Sequence, residues 1–269
     1  MLYLLDNRFP IKAFDLISSQ YELDSLPAFL EVSNDYWNAT HDLAFFAKYN
    51  WVNTVLQILN TAEAMMTPTY AAHGSVNPSP YSFTRLTTHQ TETMANNGLG
   101  SPVQNDTGLI RSAFRPSDDS TLFQFLVPAN AMFARYLASC ATIMQSLSTS
   151  NGKNGFAQPA LAAELTTRMA TMATSLRAAI AAHGTYVDPV YDEIYGYEVD
   201  GYGSVNSMDD ANIPSLLSLP LLGYLDITDP VYLATRDKIL SGHNPYFMRG
   251  PVLSAVGGPH DGYVLTVYC

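Results

Sequence analysis

The chain has 269 residues, room for one large domain or two small ones; 47% are hydrophobic and only 14% charged, against a typical charged share of roughly 25%. A formal net charge of −11 argues against a phosphate-backbone partner, which needs clustered Lys and Arg. No apolar run is long enough to span a bilayer, so neither nucleic acid nor membrane is expected as a partner.

Tyr21 to Ala47 carries Leu23, Leu26, Leu30 and Trp37 among its apolar positions, with Pro27 near the start, and predicts a helix. A second helix is predicted from Trp51 to Met66, closed by Thr67-Pro68. Residues 68 to 108 are rich in Pro, Gly, Asn, Ser and Thr and read as long loops with a short strand around Tyr81 to Thr88. Loops of this length in a compact domain are usually functional. Phe123 to Leu147 has the strongest helical pattern; Asn151 to Gly155 reads as a turn, and Ala160 to His183 as a helix ended by Gly184. Tyr186 to Val205 alternates and is rich in Gly and Tyr, as in a small β-hairpin or an ordered loop. Ile213 to Tyr224 and Val231 to Leu240 again read as helices, and from Ser241 the pattern is loop-like.

Two cysteines, Cys140 and Cys269, make neither a disulfide framework nor a zinc site; Cys140, in an apolar run, reads as a buried inert thiol. Met1 to Pro10 places an aspartate and an arginine early and does not read as a signal peptide. Two N-glycosylation triplets, at Asn38 and Asn105, are short enough to arise by chance, and the compartment stays open.

Acidic residues lead three apolar runs. Asp24-Ser25 precedes Leu26 to Leu30, Asp118-Asp119 precedes Phe125 to Asn130, and Asp209-Asp210 precedes Ile213 to Leu217, at near-equal spacing. A single acid there would cap a helix N-terminus. Three together predict inner helices of a helical toroid, each delivering its acids to a shared crater. Adjacent carboxylates repel, so one of each pair is held near a raised pKa and suits proton donation to a polyhydroxylated ligand. Glycoside hydrolysis needs such an acid and a second group that activates a nucleophile.

Asp118 and Asp119 are therefore the candidate catalytic residues, with Arg115 placed to bind sugar hydroxyls or fix a carboxylate. Asp209, Asp210 and Asn212 form the second acidic group. His89 and Glu92 lie in the polar row Arg85 to Thr93, and Glu198 in a Tyr-rich acidic stretch of the kind that stacks on sugars. His260 follows Gly257-Gly258-Pro259, a loop able to approach a ligand closely. No phosphate loop, His-Glu-x-x-His motif or Gly-x-Ser-x-Gly elbow is present, and no metal or cofactor is expected.

These motifs resemble glycoside hydrolase family 125, the metal-independent exo-α-1,6-mannosidases, in its fungal branch. The likeness is carried by Tyr21 to Leu26, Leu109 to Asp119, Val127 to Asn130, Tyr197 to Gly201, Met208 to Pro220, Asn244 to Phe247 and Gly257 to His260, in order over about residues 20 to 260. It implies a mainly α fold, a partial (α/α)6 barrel with long loops. It also implies an inverting mechanism that releases mannose from the non-reducing end of α-mannoside glycans. The family's general acid falls on Asp118 or Asp119, and the sequence leaves open which. Residues 1–269 then form a single incomplete catalytic domain, truncated at both ends, with residues 261–269 divergent and the general-base region lacking. Such a chain is expected to be inactive as it stands. A mannoside-binding pseudoenzyme, a truncated gene product and another (α/α)6 glycosidase, such as a glucoamylase-like hydrolase, are the alternative readings.

Overall fold

The computed structural model describes residues 20–150 and 156–260. The segment Asn151 to Gly155, the N-terminal stretch, Cys269 and residues 261–269 lie outside the described residues. The fold is mainly helical, in order α1 (Ser25–Thr40), α2 (Leu43–Lys48), α3 (Trp51–Ala64), the four-residue α4 (Ala95–Gly98), α5 (Val127–Ser148), α6 (Pro159–His183) and α7 (Pro230–Ile239).

α5 is the axis of the core. Its buried positions run almost all the way round, from Val127 and Phe133 through Leu137 and Cys140 to Leu147, as in a helix enclosed by neighbours. α6 lies along it and buries one stripe, Leu165, Met169, Ala173, Leu176 and Ile180, at the spacing of one helical face. α1 packs on α5 and α3 on α6. Proline starts α6 and α7 at Pro159 and Pro230, where the missing N–H would have had no helical partner.

The predicted helix Tyr21 to Ala47 is two helices. His41 takes a left-handed φ of 52° and closes α1 by donating its N–H to the Trp37 carbonyl, and Asp42 then caps α2 through Phe45 N at 3.2 Å. Tyr81 to Thr88 forms no strand. The hairpin in Tyr186 to Val205 is present: β2 (Thr185–Asp188) pairs with β3 (Asp192–Tyr195). Next to it β1 (Phe125–Leu126), β4 (Glu198–Val199) and β5 (Val205–Asn206) form a three-stranded antiparallel ladder in the order β1-β4-β5. After Ser241 a further small ladder pairs β6 (Phe247–Arg249) with β7 (Ser254–Val256), where only loop was expected.

Two corrections bear on the site. Ile213 to Tyr224 is a chain of turns, because nearby side chains take the N–H groups a helix would need. The Asp209 carboxylate accepts from Leu216 N and Leu217 N at 2.9 and 3.1 Å, while Ser215 and Ser218 exchange hydroxyl bonds with each other's backbone. The acid-led helices also reduce to one. Asp24 stands before α1, but α5 starts only at Val127, well past Asp119, and no helix follows Asp209-Asp210 directly.

The irregular stretch between α3 and β1 is held by buried side chains rather than by strands. Asn130, fully buried on α5, accepts from Ile110 N and donates to the carbonyls of Ile110 and Leu126, each at 2.9 Å. The Arg111 guanidinium reaches Thr67 O at 2.5 Å, just beyond the end of α3, and its burial without a carboxylate partner pushes its pKa down to about 10.

Candidate active site

The Arg115–Asp119 motif folds as a tight turn. Arg115 N donates to Asp119 O at 2.7 Å and Asp118 N to Arg115 O at 3.0 Å, which puts Asp118 in the left-handed region at φ 64°. Aspartate tolerates that conformation, and the turn sends the two neighbouring carboxylates apart. Asp119 is fully buried. Its Oδ2 accepts from the Ser117 hydroxyl at 2.8 Å, and its Oδ1 has no hydrogen bond, with His260 Nδ1 at 3.5 Å. Asp118 is exposed and its carboxyl faces that of Glu22 on the segment that leads into α1.

Arg115 is buried and donates from Nε to Glu198 Oε1 at 2.6 Å. Burial works against its charge, but the Glu198 carboxylate outweighs that and raises its pKa. Glu198 is spent on the scaffold: its Oε2 accepts from Leu122 N, Phe123 N and Asn206 Nδ2 at 3.1, 3.3 and 3.1 Å. The pairing of β1 with β4 brings Glu198 to this position, opposite Leu126.

Asp209 and Asp210 divide their work in the same way. Asp209 holds the turn at Leu216 and Leu217, and burial pushes its pKa up to about 7 against those backbone bonds. Asp210, also buried, accepts from Asn212 N and Asn212 Nδ2 on Oδ1 at 3.1 and 2.9 Å, and its Oδ2 has no hydrogen bond. The glycine loop passes directly over it: a Cβ on Gly258 would lie 3.0 Å from Asp210 Oδ1. That approach explains the glycine and carries His260 to Asp119.

His89 and Glu92 stand apart from this nest. Glu92 pairs with Arg85 at 2.6 Å and accepts from Thr87, and His89 is exposed. Their loop is tied to the motif through Thr91 O, which accepts from Ser120 N at 2.7 Å. Of the remaining groups near the motif, Asp24 is expected from the sequence as a helix-leading acid and Tyr197 lies in the Tyr-rich acidic stretch, whereas Glu22 has no role assigned from the sequence. Tyr197 is fully buried beneath Arg115, its hydroxyl unpaired and its pKa raised by burial first and Asp210 next. Glu22 is pushed up to about 8 and Asp24 to about 6, both chiefly by burial. The available signal for Glu22 is its place in the Tyr21 to Leu26 motif.

Buried carboxylate oxygens without donors are costly in a folded chain; among the described residues they are Asp24 Oδ1, Asp119 Oδ1 and Asp210 Oδ2, and Asp210 is near enough to Arg115 to help raise its pKa. Asp119 Oδ1, Asp210 Oδ2 and the Tyr197 hydroxyl can meet a ligand that brings several hydroxyls of its own. Among the described residues no group of three or more His, Cys, Asp or Glu is placed to hold a metal ion.

Comparison with known proteins agrees with this chemistry. The family model for metal-independent alpha-mannosidases, GH125, matches residues 7–266, reaching into the 261–269 stretch expected to diverge. The meiotically up-regulated gene 157 protein of Schizosaccharomyces pombe is 41% identical over 245 residues, which cover 90% of this chain and 45% of that protein. A solved metal-independent alpha mannosidase from Streptococcus pneumoniae, in a non-productive substrate complex with alpha-1,6-mannobiose, superposes with a TM-score of 0.77 at 32% identity. That likeness covers 91% of this chain and 53% of the other, so the chain spans about half the length of both relatives. With that model matching residues 7–266, nearly the whole length, the chain belongs to glycoside hydrolase family 125, the metal-independent α-mannosidases.

Proposed function

We propose that this chain carries the acid side of an inverting exo-α-1,6-mannosidase, which releases mannose from the non-reducing end of α-mannosides. The observation that carries the reading is the pair of buried oxygens without a hydrogen bond, Asp119 Oδ1, with His260 at 3.5 Å, and Asp210 Oδ2, under the glycine loop that carries His260. The mannobiose held by the streptococcal relative supports the choice of sugar and linkage. In this reading α1, α3, α5 and α6 are part of an (α/α)6 ring whose rim loops hold the site.

Asp119 is the better proton donor of the two candidates, since its Oδ1 is buried without a hydrogen bond while the exposed Asp118 faces Glu22. As the bond from C1 to the glycosidic oxygen breaks, Asp119 protonates that oxygen. A water on the opposite face attacks C1 and gives its proton to a base, with the two carboxyl groups about 6.5–9.5 Å apart in inverting enzymes. Asp210 and Arg115 hold sugar hydroxyls in place.

One observation favours a second reading, mannoside binding without turnover. Among the described residues the other buried carboxylates are all committed: Glu198 to Arg115, Asp188 to Lys238, and Asp200 and Asp209 to backbone N–H groups. None of these is free to serve as the base, and Asp24, partly buried with one oxygen unbonded, stands beside Glu22 and Asp118.

The test is hydrolysis of α-1,6-mannobiose by the purified chain, followed by NMR of the first-formed anomer. Turnover giving β-mannose, abolished in Asp119→Asn, supports the enzyme. Turnover that survives both Asp119→Asn and Asp118→Asn overturns the acid assignment. Binding by calorimetry without mannose release supports the second reading. Cleavage of other α- or β-linked disaccharides in preference to mannobiose would point to a different (α/α)6 glycosidase.

A further inference from the structure

The segment Gln20–Asp24 is laced along the acid motif. Phe114 N donates to Tyr21 O at 3.2 Å, Leu23 N donates to the Ser112 hydroxyl at 2.9 Å, Glu22 bridges Phe114 in parallel, and Gln20 Nε2 lies 3.5 Å from the Asp118 carbonyl. The seam brings the Glu22 and Asp118 carboxyls face to face, within reach of a hydrogen bond between them. Two ionised carboxylates have no donor between them, so a bond across this contact requires a proton on one of the pair. Glu22, the more buried of the two, is the better place for it, because burial disfavours its charged form.

We propose that Glu22 is a positioning residue for the Asp118–Asp119 turn: its protonated carboxyl donates to the Asp118 carboxylate and clamps the motif, and loss of that proton opens the clamp. The turn needs such a hold, since Asp118 sits in the left-handed region and its side chain is exposed. The titratable groups facing Glu22 are Asp118 opposite, Asp24 on its own segment and Tyr81 behind it, and Asp24 and Asp118 both resist a charge on Glu22. These contacts fit a raised pKa of about 8, caused first by burial and then by Asp118.

The clamp is a statement about the folded chain and stands without any turnover; only its consequence for catalysis rests on reading Asp119 as the acid. The sign follows from the pKa. Glu22 favours the folded state fully below its ordinary value of 4.5, and that contribution is lost as pH rises towards about 8. Solvent screening at a partly exposed group limits the effect on the unfolding constant to about tenfold to a hundredfold.

The experiment compares the chain with Glu22→Gln and Glu22→Ala across that pH range. It follows the unfolding midpoint and the hydrogen exchange of the Asp118 and Ser120 amides, corrected for intrinsic rates. Glutamine carries a donor at every pH, so Glu22→Gln is expected to keep the motif protected where the wild type loses protection by tenfold or more. Alanine has no donor, and its motif is expected to be open throughout. The proposal is overturned if Glu22→Gln loses protection in parallel with the wild type, or if the wild type shows no change over the range. Should Glu22→Ala fail to fold, the glutamine comparison alone decides.

Discussion

The ion pair between Arg115 and Glu198 offers the sharpest test of how the site is built. Their side chains are 5% and 0% exposed, and Glu198 has three further donors, so the pair is enclosed and fully bonded. Replacing Arg115 by Met leaves the buried Glu198 carboxylate, close to Tyr197, without its cation. Breaking a buried pair in this way is expected to cost about 3–5 kcal/mol. In a chain of this size that lowers the thermal midpoint by roughly 6–20 °C, at about 2–4 °C per kcal/mol. The companion change Glu198→Leu strands Arg115 and three donors at once and should cost as much. The double variant, with both charges gone, should cost clearly less than the sum, a coupling of about 2 kcal/mol or more. Urea unfolding of all four proteins at neutral pH measures it. Single-variant losses below about 1 kcal/mol, or strict additivity, would refute the view that this pair locks the acid motif to β4.

Other consequences follow from the same geometry. Gly258→Ala forces a methyl to 3.0 Å from Asp210 Oδ1 and should lift the His260 loop; on the function proposed above, calorimetry should then show mannoside binding weakened about tenfold with little loss of stability. Asp209, pushed up to about 7, favours folding below its ordinary 3.8 and loses that contribution as pH rises through 7. Asp209→Asn should therefore flatten the stability profile over that window by an amount on the order of 2 kcal/mol, read from unfolding midpoints. The Cys140 thiol is fully buried, donates to Leu30 O and is pushed up to about 12. Mass mapping after iodoacetamide should find Cys140 unlabelled in the native chain and labelled in urea.

The long helices were legible because their evidence is local. The stripe Leu165, Met169, Ala173, Leu176 and Ile180 states its own period, and Pro159, Pro230 and Gly184 mark the ends. Ile213 to Tyr224 has the same apolar character and is not a helix, because the competing acceptor, Asp209, binds the N–H groups of residues several positions on. Periodicity cannot register a side chain that reaches into another segment's backbone. The site divided along the same line. That Asp118-Asp119 and Asp209-Asp210 are unusual was readable from charge alone. That Asp209 and Glu198 are held by the scaffold, while Asp119 and Asp210 keep an oxygen free, depends on strands and turns far off in sequence. Glu22 was hidden for that reason too, since its partner lies 96 positions downstream.

Asn130 fixes more than three hydrogen bonds. One amide on a rigid helix acts as an index mark for the incoming chain, so Ile110 is read at a single frame. Lengthening the surface loops ahead of Leu109 should leave the carboxylates where they are. A single residue inserted between Ile110 and Arg115 would move the whole acidic turn out of phase with Glu198 and the glycine loop. Tolerance to insertion is thus expected to stop abruptly at the position where this helix takes hold of the chain.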